Sequence, residues 1–144
     1  MKAPIQVALY VRTNPHTEIN NRFSIIDRLK QSCLEMGKNV VQIYHDEGFS
    51  GNTLDRPALK QMLLDAREGH FNEIVVAKVS QLARNSKVFF SVVEQMTETN
   101  TGIIATDDNF ETSSATGKFI FKMMAASFKF SQQLEQCEGV DGHV

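Results

Sequence analysis

The period of the apolar positions switches repeatedly between two residues and three-to-four along this chain. Over residues 4–11, Ile5, Val7, Leu9 and Val11 alternate with Gln6, Ala8 and Tyr10, which predicts a strand. A polar segment, 13–21, follows as a loop or helix entry. Phe23, Ile26, Leu29, Cys33 and Met36 then recur at helical spacing, and Gly37 stands where a left-handed cap would end that helix. A short strand is predicted over 40–44, then a loop rich in Gly, Ser and Asp over 46–56. Pro57 suits the first turn of a helix running to Arg67, which Gly69 ends. Residues 74–79 read as a strand buried on both faces, and therefore parallel. Val88, Phe89, Val92, Val93 and Met96 mark a further helix, and 102–106 a further strand. Alternating strands and helices predict an α/β domain with a mainly parallel sheet.

The last element differs. Over 114–136 a long helix carries Phe119, Ile120, Phe121, Met123, Met124, Phe128, Phe130 and Leu134, apolar residues spread wider than one core face requires. Helix packed on its own sheet is one reading. Contact with a partner chain is the other, because large exposed apolar patches are rare on monomers. The segment 138–144 is polar, holds two glycines and reads as a flexible tail.

Length and charge narrow the function. With 144 residues the chain suits one domain with a proper core. A net charge of -2 and a pI near 6.1 argue against a free-standing nucleic-acid binder, so DNA contact would need a local cluster of Arg and Lys. Cys33 and Cys137 match no metal-ligand spacing, and a reducing cytoplasm is their simplest setting. Nothing resembles a signal peptide or a membrane span. His16, His45, His70 and His143 form no catalytic or metal-binding spacing.

Several phrases go beyond composition. Tyr44, Asp46-Glu47-Gly48-Phe49-Ser50-Gly51 and Asp55-Arg56-Pro57-Ala58-Leu59 resemble a "Y-x-D-E-G-x-S-G … R-P-x-L" stretch. Tyr10-Val11-Arg12 lies upstream; Leu29, Cys33 and Gly37 fit the following helix; Leu82-Ala83-Arg84-Asn85, Thr112-Ser113-Ser114 and Gly117-Lys118 lie downstream. In this order and spacing they resemble the catalytic domain of the serine site-specific recombinases, the resolvase/invertase type, over roughly residues 5–134. The resemblance implies a three-layer domain: a central sheet of about four to five mainly parallel strands, flanked by helices, with a long C-terminal oligomerisation helix. The resolvase-like domain would span 1–137, and the family's DNA-recognition module is not expected among the residues after it.

In that family a serine attacks a DNA phosphodiester and becomes covalently linked to it, with no metal ion or other cofactor. The chemistry needs a nucleophile and fixed cations around the phosphate, a role that the planar fork of arginine suits. The resemblance places the serine two residues after Arg12, where this chain has Asn14. An amide is not a nucleophile, and in other enzymes loss of the nucleophile lowers turnover on the order of 10⁶-fold. Asn14 could still donate hydrogen bonds to phosphate. The family's Asp-Arg pair before L-A-R-N is here Ser80 and Gln81, and its Glu-Arg pair on the long helix is Ser131 and Gln132. Arg12, Arg56 and Arg84 remain as a phosphate-gripping set. Two of them have a plainer reading, Arg12 as surface charge and Arg56 as the partner of Asp55 or Asp46, while Arg84 has the better claim because its loop is retained; Ser50-Gly51 reads equally as a turn former.

The resemblance therefore implies a recombinase-type domain that has lost strand cleavage, binds DNA weakly on its own and forms homo-oligomers through the long helix. Two rivals remain. One is an active enzyme using Thr13, Thr17 or Ser80, although Thr13 should face away from Arg12 by strand alternation. The other is a non-enzymatic partner that forms hetero-oligomers with an active recombinase. A phosphorelay receiver would need an Asp at the end of the third strand, where the pattern puts Ser80.

Overall fold

The computed structural model describes residues 4–14, 19–112 and 114–141, with the side chains of 19–23, 132 and 135–141 left aside. Five strands form one sheet in the order β2-β1-β3-β4-β5. Strand β1 (Gln6–Thr13) lies between β2 (Asn39–Glu47) and β3 (Glu73–Val76), and β4 (Gly102–Ala105) follows, all parallel. The short β5 (Phe110–Glu111) closes the other edge antiparallel to β4. Its two residues are too few to show a period, which is why the apolar pattern does not predict it.

Strand alternation divides the core. Val7, Leu9 and Val11 pack with Leu29 and Cys33 of α1 (Ile19–Glu35), while Ala8 and Tyr10 face Leu59, Met62, Val92 and Met96. The latter four belong to α2 (Pro57–Arg67) and α4 (Ser86–Glu98). All four residues of β3 are buried, as a strand covered on both faces should be. The layers are therefore helix, sheet and helices.

Helix ends follow local chemistry. Gly37 has φ +70 and closes α1 with bonds from Gly37 N to Leu34 O and from Lys38 N to Cys33 O. Asn85 caps α4 by accepting from Val88 N (2.9 Å). One expected boundary moves: Val79 does not extend β3 but begins the one-turn helix α3 (Val79–Leu82), its amide donating to Asp108 Oδ2. The last helix, α5 (Ala115–Asp141), runs past residue 136 into the segment expected to be a tail.

Where α5 leaves the sheet, contact is close. Ser114 Oγ accepts from Gly117 N (3.0 Å), and a Cβ on Gly117 would collide with the main-chain oxygen of Glu111. In an open helix, Gly→Ala would stabilise by about 1 kcal/mol. Here the obstructing atom is backbone, and overpacking of that kind costs about 1–3 kcal/mol. Gly117→Ala is expected to be net destabilising in chemical denaturation, and a stabilised variant would contradict this packing.

Candidate functional site

The site is built at the carboxyl ends of the parallel strands, where loops from several elements meet. Strand β1 delivers Arg12 and then Asn14. The period of two puts Tyr10 and Arg12 on one face, and Thr13 on the other. Thr13 is buried and its hydroxyl lies 2.7 Å from His45 Nε2, away from Arg12 as alternation requires. Asn14 is exposed at the strand's end. Thr17 and His16 lie outside the described residues.

Arg12 is half-buried and tied to two loops. Its Nη1 donates to Phe49 O (3.3 Å) and its Nη2 to Ser80 O (2.9 Å), while its main-chain N–H donates to Gln81 Oε1 (2.6 Å). Its Nε is buried without a hydrogen-bond partner. Burial first, then the positive charges of Arg84 and Arg56, pull its pKa down from the ordinary guanidinium value. Guanidinium remains charged regardless, so the site concentrates positive charge that an anion would relieve.

Arg84 is exposed, and its main-chain N–H donates to Gly51 O (2.8 Å). A Cβ on Gly51 would lie 2.6 Å from Arg84 Cγ and 3.1 Å from Arg12 Nη2, so both arginines pack against this glycine. Gly51 is thus a requirement for close approach, in addition to its place in a turn. Ser50 is used locally, with its Oγ accepting from Asn52 N (3.0 Å).

Arg56 turns inward. It is fully buried and donates to Thr53 O (3.0 Å), Tyr10 Oη (3.1 Å), Gln81 O (3.1 Å) and Leu82 O. Tyr10 Oη in turn donates to Asp46 Oδ2 (2.8 Å). The buried Asp46 carboxylate also accepts from Ala58 N (2.8 Å) and Leu59 N (3.0 Å), capping α2 from a neighbouring strand. Burial pushes the Tyr10 hydroxyl pKa well up, against the pull of Arg56, so it stays protonated and donates. Asp55 pairs instead with Lys60 on the surface (2.7 Å).

The structure therefore joins Arg12, Arg56, Ser80, Gln81 and Arg84 through bonds among the end of β1, the loop after β2, and α3 with the residues that follow it. Ser131 is on the exposed side of α5, where it lines a cleft with Phe90, Met124 and Phe128; the Gln132 side chain lies outside the described residues. Tyr10 and Asp46 belong to the family phrases, yet sequence reasoning alone did not assign them to the site. The two-residue spacing of Tyr10 and Arg12 was the available signal, because it puts both on one sheet face. Elsewhere, the turn after α2 brings Asp65, Glu68 and the exposed His70 within 4.8 Å of one another. No helix among the described residues is long and apolar enough to cross a membrane.

The family described as "Resolvase, N terminal domain" matches residues 7–136. The resolvase of transposon Tn917 from Enterococcus faecalis is 32% identical over 80 residues, 56% of this chain and 42% of its own length. The serine recombinase gin of Escherichia phage Mu is 33% identical over 93 residues, 65% of this chain and 47% of its own. This chain thus spans less than half the length of either relative. Among solved structures, the N-terminal catalytic domain of TP901-1 integrase superposes with a TM-score of 0.80 at 30% identity. That match covers 90% of this chain and 98% of the integrase domain.

Proposed function

The chain belongs to the serine recombinases, by their resolvase N-terminal domain, and on that premise we propose that it binds DNA phosphate without cutting it. The observation that carries this reading is Asn14. It stands two residues past Arg12, at the position where the family resemblance calls for the serine nucleophile. Arg12 and Arg84, packed on Gly51, supply the positive charge for a phosphate oxygen. Ser80 and Gln81 stand where the family pattern has an acid and a base; Gln81 holds Arg12 through its side chain, and Ser80 does so through its main-chain carbonyl.

Self-association is the second part of the proposal. Phe119, Ile120, Met123, Met124, Phe130 and Leu134 are each between 47% and 63% exposed on α5. Beside them a cleft of about 470 Å³ lies between α4 and α5, lined by Phe90, Phe121, Ala125 and Phe128. Exposed apolar area of this kind favours a partner surface over solvent.

Incubation with supercoiled plasmid, followed by denaturing trapping of covalent protein–DNA species, tests the cleavage claim. The expected result is plasmid left intact and no adduct. An adduct that disappears on Ser80→Ala, Thr13→Ala or Asn14→Ala would overturn it. Ser80 is the strongest rescue candidate, because it is exposed and its own carbonyl holds Arg12, whereas Thr13 is buried against His45.

A further inference from the structure

We propose that Arg56 is a positioning residue: from inside the domain it sets the loop that carries Arg84 and braces Arg12, without touching the anion itself. The proposal deepens the phosphate-binding reading and takes its functional meaning from it. Four observations lead there. Arg56 is fully buried, so no exposed phosphate reaches it. Its guanidinium donates to the carbonyls of Gln81 and Leu82, the last two residues of α3, from which the chain runs directly to Arg84. Its Nε donates to Thr53 O, in the loop that also contains Gly51. Finally, its charge is answered through Tyr10 by Asp46, which is itself fixed by the α2 amides.

This arrangement links three chain segments through one planar cation. Gly51 O receives Arg84 N, while Ser80 O and the Gln81 side chain hold Arg12. Both arginines of the anion site are therefore referenced to carbonyl-bearing segments that Arg56 anchors. A lysine could not replace it, because one ammonium lacks the fork whose Nε, Nη1 and Nη2 reach Thr53 O, Gln81 O and Leu82 O together.

Two measurements on the whole chain test this. The first is amide hydrogen exchange in Arg56→Met, Arg56→Lys and the milder Tyr10→Phe. The Ala83 and Arg84 amides are expected to exchange about tenfold faster relative to Val75 and Val76 of β3, reflecting loss of charge-assisted bonds. Unchanged relative protection at Arg84 in all soluble variants would overturn the proposal. Tyr10→Phe keeps the test decisive if the Arg56 variants do not fold.

The second is binding to a random-sequence DNA duplex across a salt series. Every phosphate that the protein ceases to neutralise lowers the slope of log affinity against log salt by about 0.9. Arg84→Gln is expected to reduce the slope by about that amount. Arg56→Met and Tyr10→Phe should weaken binding severalfold at an unchanged slope. A slope reduced by about one in Arg56→Met would make Arg56 a direct phosphate ligand and sink the proposal. Absence of any DNA binding by the wild-type chain would refute the phosphate-binding reading instead, and the exchange experiment would still decide the role of Arg56.

Discussion

Arg56→Met is expected to lower folding stability by about 3–5 kcal/mol, among the largest single-residue effects in the domain. The cause is a set of buried acceptors left unmatched. The wild-type guanidinium supplies donors to Thr53 O, Gln81 O, Leu82 O and Tyr10 Oη, all inside the fold. Methionine fills similar volume but donates nothing, so those oxygens go without a donor and do not regain water. Asp46 is also deprived of the cation linked to it through Tyr10, although its bonds to Ala58 N and Leu59 N persist. Denaturation in urea would measure the loss, with an unchanged slope showing that the native state is otherwise intact. A decrease below about 1 kcal/mol would mean that the buried network has little net worth. The surface pair Lys60–Asp55 is the natural contrast. At 2.7 Å it is a short ion pair, yet both side chains are exposed, and Lys60→Met should change stability little.

On the proposed reading of α5, Phe119→Glu combined with Met123→Glu is expected to convert a self-associating protein into a monomer. With 3.6 residues per turn, positions 119, 123, 130 and 134 fall within about 60° of one another on the helix surface. The residues there, Phe119, Met123, Phe130 and Leu134, are 63%, 59%, 61% and 47% exposed, so they contribute little to the monomer's own core. Phe121, Ala125 and Phe128 hold the helix to the domain from a different face, through rings such as the Phe90–Phe128 stack at 4.5 Å. Full burial of one large apolar side chain is worth about 1.5–3 kcal/mol, so removing two should weaken association at least about a hundredfold. Sedimentation over a concentration series would report this, while the melting temperature should stay near that of the wild type. Lys118, Lys122 and Lys129 lie on a neighbouring stripe, and changing them to Gln should leave association intact. A wild-type chain that is monomeric throughout would refute the reading.

Much of the architecture was legible in the order of residues. The α2 boundaries at Pro57 and Arg67 follow from a proline that suits the first turn and a glycine beyond the end. The burial of Ile74, Val75 and Val76 in β3 follows from their apolar run, whereas that of Glu73 depends on Lys38, 2.6 Å away. Strand β5 was not legible, because a two-residue strand exists only by pairing with β4. The end of β3 was overrun for a related reason. Val79 is as apolar as Val75 and Val76, but the Asp108 carboxylate, 29 residues away, receives its amide and starts α3.

The site divides along the same line. By itself the sequence determined that β1 presents Tyr10 and Arg12 to one side and Thr13 to the other, that Asn14 stands two residues past Arg12, and that strands and helices alternate along the chain. These are properties of spacing and residue identity, and local geometry is enough to settle them. Only the tertiary structure decided which arginines face solvent. Arg56 and Arg84 are equally charged and both lie in loops, yet Arg56 is directed inward by carbonyls from its own loop and from α3 and by a tyrosine from β1. Arg84 is left outside against Gly51. A long side chain at a loop goes where its donors are best matched, and those acceptors come together only once the strands have paired.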